Sequence, residues 1–129
     1  MAVQYPVAQR NLMLEAKATN WGASPVMKLF SGTQPANCAA ANSGTECASG
    51  SLPATPFAAA GSGAIAKAGT WQITGTTGGT AGHYRVYKSD GTTCVEQGDI
   101  TDDMTIDNAA IANGQVVTIT AYTTTAGNA

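Results

Sequence analysis

The stretch GHYRVYKSDGTTCVEQGD (82–99) gathers the residues best suited to chemistry: His83, the chain's single histidine, with Arg85, Lys88 and Glu96 close by. An imidazole near a carboxylate can do general acid–base work when a nucleophile and an orienting partner stand within hydrogen-bond reach. No such set is marked locally, since there is no G-x-S-x-G elbow and no H-E-x-x-H pair. His83 therefore reads as a polar residue at a strand start, and no catalytic residue is assigned.

Four aspartates, Asp99, Asp102, Asp103 and Asp107, form a run (DITDDMTID) that could offer oxygens to calcium. The spacing is not that of an EF-hand, and no glycine occupies the sharp-turn position. Strand alternation would send Asp103 and Asp107 to a polar face, so no metal site is assigned. The glycine run GTTGGTAG (75–82) lacks the Lys-Ser/Thr of a P-loop and opens no helix, so no nucleotide or other cofactor site is assigned. Glu15, Glu46, Glu96 and the five aspartates could in principle pair in space as a glycosidase dyad. With aromatics at 6% of residues, there is little to build a sugar-stacking groove.

Cys38, Cys47 and Cys94 make an odd set. The Cys38–Cys47 spacing is too wide for a C-x-x-C redox or zinc pair. Those two could bridge in an oxidising setting, while free thiols are the simpler expectation for a cytosolic chain.

The elements that must position these residues belong to a chain of 129 residues, the size of one domain spanning 1–129. Charged residues are only 11%, against about 25% in an average domain. Net charge is −2 with no basic run, which removes the counterion-releasing surface a nucleic-acid binder needs. No segment reaches the ~18 apolar residues of a membrane span. The N-terminus lacks the charged start and apolar run of a secretory signal, so synthesis in a cytosol without export by cleavage is expected.

Residues 7–20 (VAQRNLMLEAKATN) predict the one helix, with Ala8, Leu12 and Ala16 recurring at four-residue steps after Pro6. From 26 onward the pattern has a period of two. VMKLFS sets Met27 and Leu29 against Lys28 and Phe30. GTWQIT sets Trp71 and Ile73 against Gln72 and Thr74. HYRVYK sets Tyr84 and Val86 against His83, Arg85 and Tyr87. DMTID sets Met104 and Ile106 against Thr105 and Asp107. QVVTITAYTT sets Val117, Ile119 and Ala121 against Thr118, Thr120 and Tyr122. This predicts a mainly β fold, an antiparallel β-sandwich or barrel over 26–125 with one N-terminal helix. Residues 34–50 read as a long loop and 58–64 as a flexible connector. Trp71 is expected in the core; Trp21 suits either core or a contact surface.

Asp90-Gly91 predicts a two-residue type I′ hairpin loop. It would pair Ser89 with Thr92, Lys88 with Thr93, Tyr87 with Cys94, Val86 with Val95, and Arg85 with Glu96. The last would be a cross-strand ion pair worth about 0.2–1 kcal/mol.

The segments MKLFSGTQPANCAA (27–40), LPATPFAAAGSGAIA (52–66), GTAGHYRVYKSDGTTCVEQGDI (79–100) and DMTIDNAAIANGQVVTITAYTTTAGN (103–128), in this order, carry a likeness. The chain resembles small virion structural proteins of tailed bacteriophages, over most of its length from the helix onward. In size and β content it is similar, more loosely, to jelly-roll cement or decoration proteins that clamp capsomers from outside the head. The resemblance implies no enzyme activity and no catalytic, cofactor-binding or metal-binding residues. It implies a location on the capsid exterior, with the major capsid protein and further copies of the same chain as partners. An alternative is a tail- or fibre-associated binding module, an adhesin or carbohydrate-recognition domain. That role predicts an exposed aromatic cluster, for which Trp21, Tyr84, Tyr87 and Tyr122 are the candidates.

Overall fold

The structure is a computed structural model that describes residues 3–101 and 104–126. One helix, α1 (Val7–Trp21), precedes β1 (Val26–Phe30), β2 (Glu46–Ser51), β3 (Ala64–Ala66), β4 (Trp71–Gly75) and β5 (Gly79–Thr80). Then come β6 (His83–Tyr87), β7 (Cys94–Asp99), β8 (Met104–Ile106), β9 (Ala110–Ile111) and β10 (Val116–Thr125). The main sheet runs β3-β10-β4-β2-β1-β6-β7, with β8 also on β10, while β5 and β9 form a separate ribbon. Every strand pairing among the described residues is antiparallel. The expected class, mainly antiparallel β with one N-terminal helix, is what forms; the sheet curls into a half-barrel that closes over its own core. Gly50 permits the tight curl, because a Cβ there would sit 2.9 Å from Ile73 Cγ2 and 3.0 Å from Ile73 Cα.

The concave side holds the core. Trp21, Phe57, Trp71 and Tyr122 pack with ring centroids 4.7–6.3 Å apart. Tilted and edge-on rings at such separations add to the gain from area burial. Met27, Leu29, Ile65, Ile73, Val86, Val117 and Ile119 surround them, each at most 2% exposed. Both tryptophans are thus core residues.

Helix α1 ends one residue later than expected, where Gly22 takes φ 75° and its N–H reaches the Ala18 carbonyl. Its orientation differs from the apolar stripe. Ala8, Leu12 and Ala16 face solvent, and the inward face is Leu14 and Trp21 with half-buried Arg10, Asn11, Lys17 and Ala18. Polar docking outweighs hydrophobic periodicity here. Arg10 Nε donates to the Ala126 carbonyl at 3.1 Å. Asn11 Oδ1 accepts from Gly63 N–H at 2.9 Å, and Glu15 Oε1 from Ala60 N–H at 2.6 Å. Residues 58–64, expected to be a flexible connector, instead form a tight turn in which Gly61 and Ala64 exchange both backbone bonds at 2.9 Å. Gly63 sits there at φ 74°, and a Cβ on it would collide with the Arg10 guanidinium.

The long loop expected over 34–50 is shorter. Glu46–Ser51 (ECASGS) is β2, paired with both β1 and β4. Its small residues fit under the curl but give no apolar signal to a period-two reading. Residues 34–45 fold back over the convex side of β6 and β7.

Candidate functional site

Two β-bulges build the most polar internal feature of the molecule. In β7 the pairing steps from Tyr87↔Cys94 to Val86↔Glu96, leaving Val95 as the extra residue. In β10 it steps from Ile119↔Ile106 to Ala121↔Thr105, leaving Thr120 extra. Because side chains alternate between faces, one inserted residue reverses the facing of everything beyond it. Glu96 and Tyr122 are both turned to the concave side. Tyr122 is 3% exposed and Ala121 faces solvent, the reverse of the simple alternation.

The bulge in β7 also corrects the hairpin register. Tyr87 pairs with Cys94 as expected, and Lys88 N–H reaches the Thr93 carbonyl at 2.9 Å. Beyond the bulge, Arg85 faces Gln97 instead of Glu96. The turn itself is not type I′. Gly91 N–H bonds the Lys88 carbonyl, Gly91 alone takes a positive φ (74°), and Ser89 and Asp90 are the central pair. The Asp90 carboxylate fixes this geometry by accepting from Thr92 N–H (2.8 Å), Thr93 N–H (2.9 Å) and Thr93 Oγ1 (2.6 Å). Those bonds, the Thr93 hydroxyl foremost, hold the carboxyl down to about 2 from 3.8.

Glu96 and Lys17 are the centre of the concave cluster. Lys17 Nζ donates to Glu96 Oε1 (2.7 Å), Tyr122 Oη (2.5 Å) and Thr124 Oγ1 (2.6 Å). Glu96 Oε2 accepts from Tyr84 Oη (2.7 Å) and Tyr122 Oη (2.5 Å). The ammonium also lies 4.9–5.5 Å from the ring centroids of Tyr122, Trp21 and Phe57. Burial first, and the Glu96 charge second, push the Tyr122 phenol well above its usual range. A cleft of about 280 Å³ opens beside the cluster, lined by Tyr84, Glu96, Gln97, Tyr122 and Thr124 among others. All three ammonium protons already have acceptors, so the arrangement acts as a fastening of α1 to β7 and β10. Lys17 lies three residues after Leu14 and four before Trp21. That spacing was the one sequence signal that it faces inward.

The convex side holds the other candidates. His83 is 1% exposed and stacks on Phe30, centroids 5.4 Å apart. Its Nδ1 lies 3.0 Å from the Gly32 carbonyl, which can only accept, so Nδ1 carries the proton. Nε2 is buried with no partner among the described residues. The sheet separates His83 from the Glu96 carboxylate, so the two do not form one site. Arg85, 3% exposed, donates from one terminal nitrogen to the carbonyls of Asn37 (3.1 Å) and Ala40 (2.8 Å), and from Nε to Gln97 Oε1 (3.2 Å). Gln97 Nε2 donates to the Pro35 carbonyl at 2.7 Å. Together they pin the 34–45 segment. Lys28 Nζ, next to Arg85 on β1, reaches Glu46 at 3.5 Å.

The cysteines are arranged differently from the expected Cys38–Cys47 pair. Cys94 Sγ meets Cys38 Sγ at 2.6 Å, while Cys47 is fully buried in β2 and its thiol points to the Thr45 carbonyl. All three are free thiols. Burial and the neighbouring Cys38 push the Cys94 thiol up to about 12, and burial also raises Cys47.

Asp102 and Asp103 lie outside the described residues. Asp99 Oδ1 accepts from Thr101 N–H and Oγ1, at 2.7 and 2.6 Å, and Asp107 Oδ1 accepts from Thr118 N–H at 3.2 Å. No group of three potential metal ligands occurs among the described residues. The 75–82 glycines contribute to β4 and to the β5–β9 ribbon. None of the four candidates for an aromatic recognition cluster is exposed: Trp21, Tyr84, Tyr87 and Tyr122 are all at or below 7%. No helix of the described residues is long and apolar enough to cross a membrane. No family model, curated protein or solved structure matches this chain.

Proposed function

We propose that this chain is a non-catalytic structural protein of a tailed-phage virion, a cement protein on the capsid exterior that binds the major capsid protein and copies of itself. The observation that carries this reading is the distribution of exposed apolar side chains. Among the described residues, the large exposed ones are Val3, Tyr5, Val7, Leu12, Met13 and Val116. Five of these six lie on the N-terminal segment and α1, and Leu12 is 64% exposed. Weakly charged surface with protruding apolar groups suits the core of a protein–protein contact, where charged residues are depleted. Lys17 and Glu96 are instead engaged in holding the helix to the sheet, and Arg85 in holding the 34–45 segment.

The mechanism is burial. A ligand that binds only the assembled shell stabilises that shell by mass action. The test is co-sedimentation with assembled capsid shells and with unassembled capsid protein, for the wild type and for a Leu12→Asp/Met13→Asp variant. The expected result is saturable binding to shells alone, lost in the variant while its thermal midpoint stays within about 3 °C of wild type. Undiminished binding by the variant would refute the surface. Absence of the chain from purified virions would refute the virion role.

A further inference from the structure

We propose that Cys38 and Cys94 form an oxidisable pair that closes to a disulfide within the native fold, clamping the 34–45 segment onto the convex side of β6 and β7. Their sulfurs already touch as free thiols, at 2.6 Å. Both positions are fixed by contacts that do not involve the cysteines. Cys38 lies between Asn37 and Ala40, whose carbonyls are held by the buried Arg85. Pro35 is held by Gln97. Cys94 sits at the base of the hairpin, beside the Val95 bulge. The bulge has a direct consequence: without it, Cys94 and Glu96 would share a face. With it, Glu96 turns to Lys17 and Cys94 to Cys38. Cys38 and Cys94 are each half-buried, open enough for a small oxidant, whereas Cys47 is sealed in the core.

The oxidant class is a low-molecular-weight disulfide such as oxidised glutathione. The thiolate of one cysteine attacks a glutathione sulfur, forming a mixed disulfide and releasing one glutathione. The second cysteine then attacks the protein-side sulfur and releases the other. Two protein thiols lose two electrons and two protons, and one glutathione disulfide becomes two glutathiones, so the step balances. A reducing cytosol keeps the pair open and oxidising surroundings close it. The inference does not depend on the proposed function.

The test uses the full chain, equilibrated with glutathione disulfide and glutathione, alkylated, and mapped by mass spectrometry without reduction. The expected product is a Cys38–Cys94 linked peptide, two hydrogens lighter than the sum of its parts, with Cys47 alkylated only after unfolding. Oxidation should also slow cleavage within 34–45 by a broad-specificity protease about tenfold or more. No such slowing should occur in a Cys38→Ser variant with native circular dichroism. A bridge involving Cys47 would overturn the proposal, as would Cys38 and Cys94 remaining alkylatable or stably glutathionylated under oxidising conditions.

Discussion

Replacing Glu96 by Gln, Lys17 by Met, and both together tests whether the concave cluster fastens the helix to the sheet. Glu96 accepts from three donors and is 21% exposed at its side chain; Lys17 is 16% exposed. Glu96→Gln keeps the shape but leaves the ammonium without its counter-charge, beneath Trp21, Phe57 and Tyr122. Stranding a fully buried charge costs about 3–5 kcal/mol, and the residual exposure places this case at the lower end, about 3 kcal/mol. With an unfolding entropy of about 2.1 cal/mol/K per residue, a chain of this length loses about 11 °C in thermal midpoint. Lys17→Met leaves the carboxylate two tyrosine donors and should cost less, about 2 kcal/mol. The double variant strands no charge and should lose less than the two singles combined, giving a coupling of about 1.5 kcal/mol or more. Urea denaturation followed by tryptophan fluorescence is the assay, since Trp21 sits at the same contact. Additivity within about 0.5 kcal/mol would refute the reasoning, because independent sites add to that accuracy.

Deleting Val95 removes the extra residue of β7 and joins Cys94 directly to Glu96, so plain alternation keeps Glu96 opposite Val86 on the concave side. The Lys17–Glu96 coupling measured in the same urea assay should therefore survive the deletion to within about 0.5 kcal/mol, and its disappearance would refute this register. Asp90 has a depressed folded pKa, so its stabilisation is present above 3.8 and lost as pH falls toward about 2. The stability difference between wild type and Asp90→Ala should therefore be flat above pH 4 and shrink below it, read from acid titration of the unfolding midpoint. Tyr122 has a raised folded pKa, so its contribution is full below its ordinary value of 10 and is lost as pH rises beyond that. Tyr122→Phe should flatten the alkaline decline in stability; an unchanged decline in denaturation midpoints above pH 10 would count against the burial of the phenol.

The class of fold was legible because period-two patterning and the turn residues are local properties. Met27 and Leu29, Trp71 and Ile73, and Tyr84 and Val86 face the concave core as their spacing requires. So was the helix, though not its facing, since the residues that dock it (Arg10, Asn11, Glu15 and Lys17) are polar and carry no hydrophobic periodicity. Strand β2 escaped notice because Ala, Ser and Gly leave no apolar mark. The hairpin was located correctly at Asp90-Gly91, but the Asp90 side chain, by capping Thr92 and Thr93, selects a different turn from the one the dipeptide favours alone.

What the sequence by itself determined is therefore six of the ten strands (β1, β4, β6, β7, β8 and β10), their order along the chain and one amphipathic face for most of them. What only the tertiary structure decided is where that alternation breaks. Val95 and Thr120 are ordinary strand residues, and nothing in their local chemistry marks them as unpaired. They become bulges because the assembled fold is lower in free energy with Glu96 and Tyr122 facing Lys17 and with Cys94 facing Cys38. Those partners lie 79, 105 and 56 positions apart in the chain. No local pattern can encode a preference whose energy comes from residues that meet only after folding.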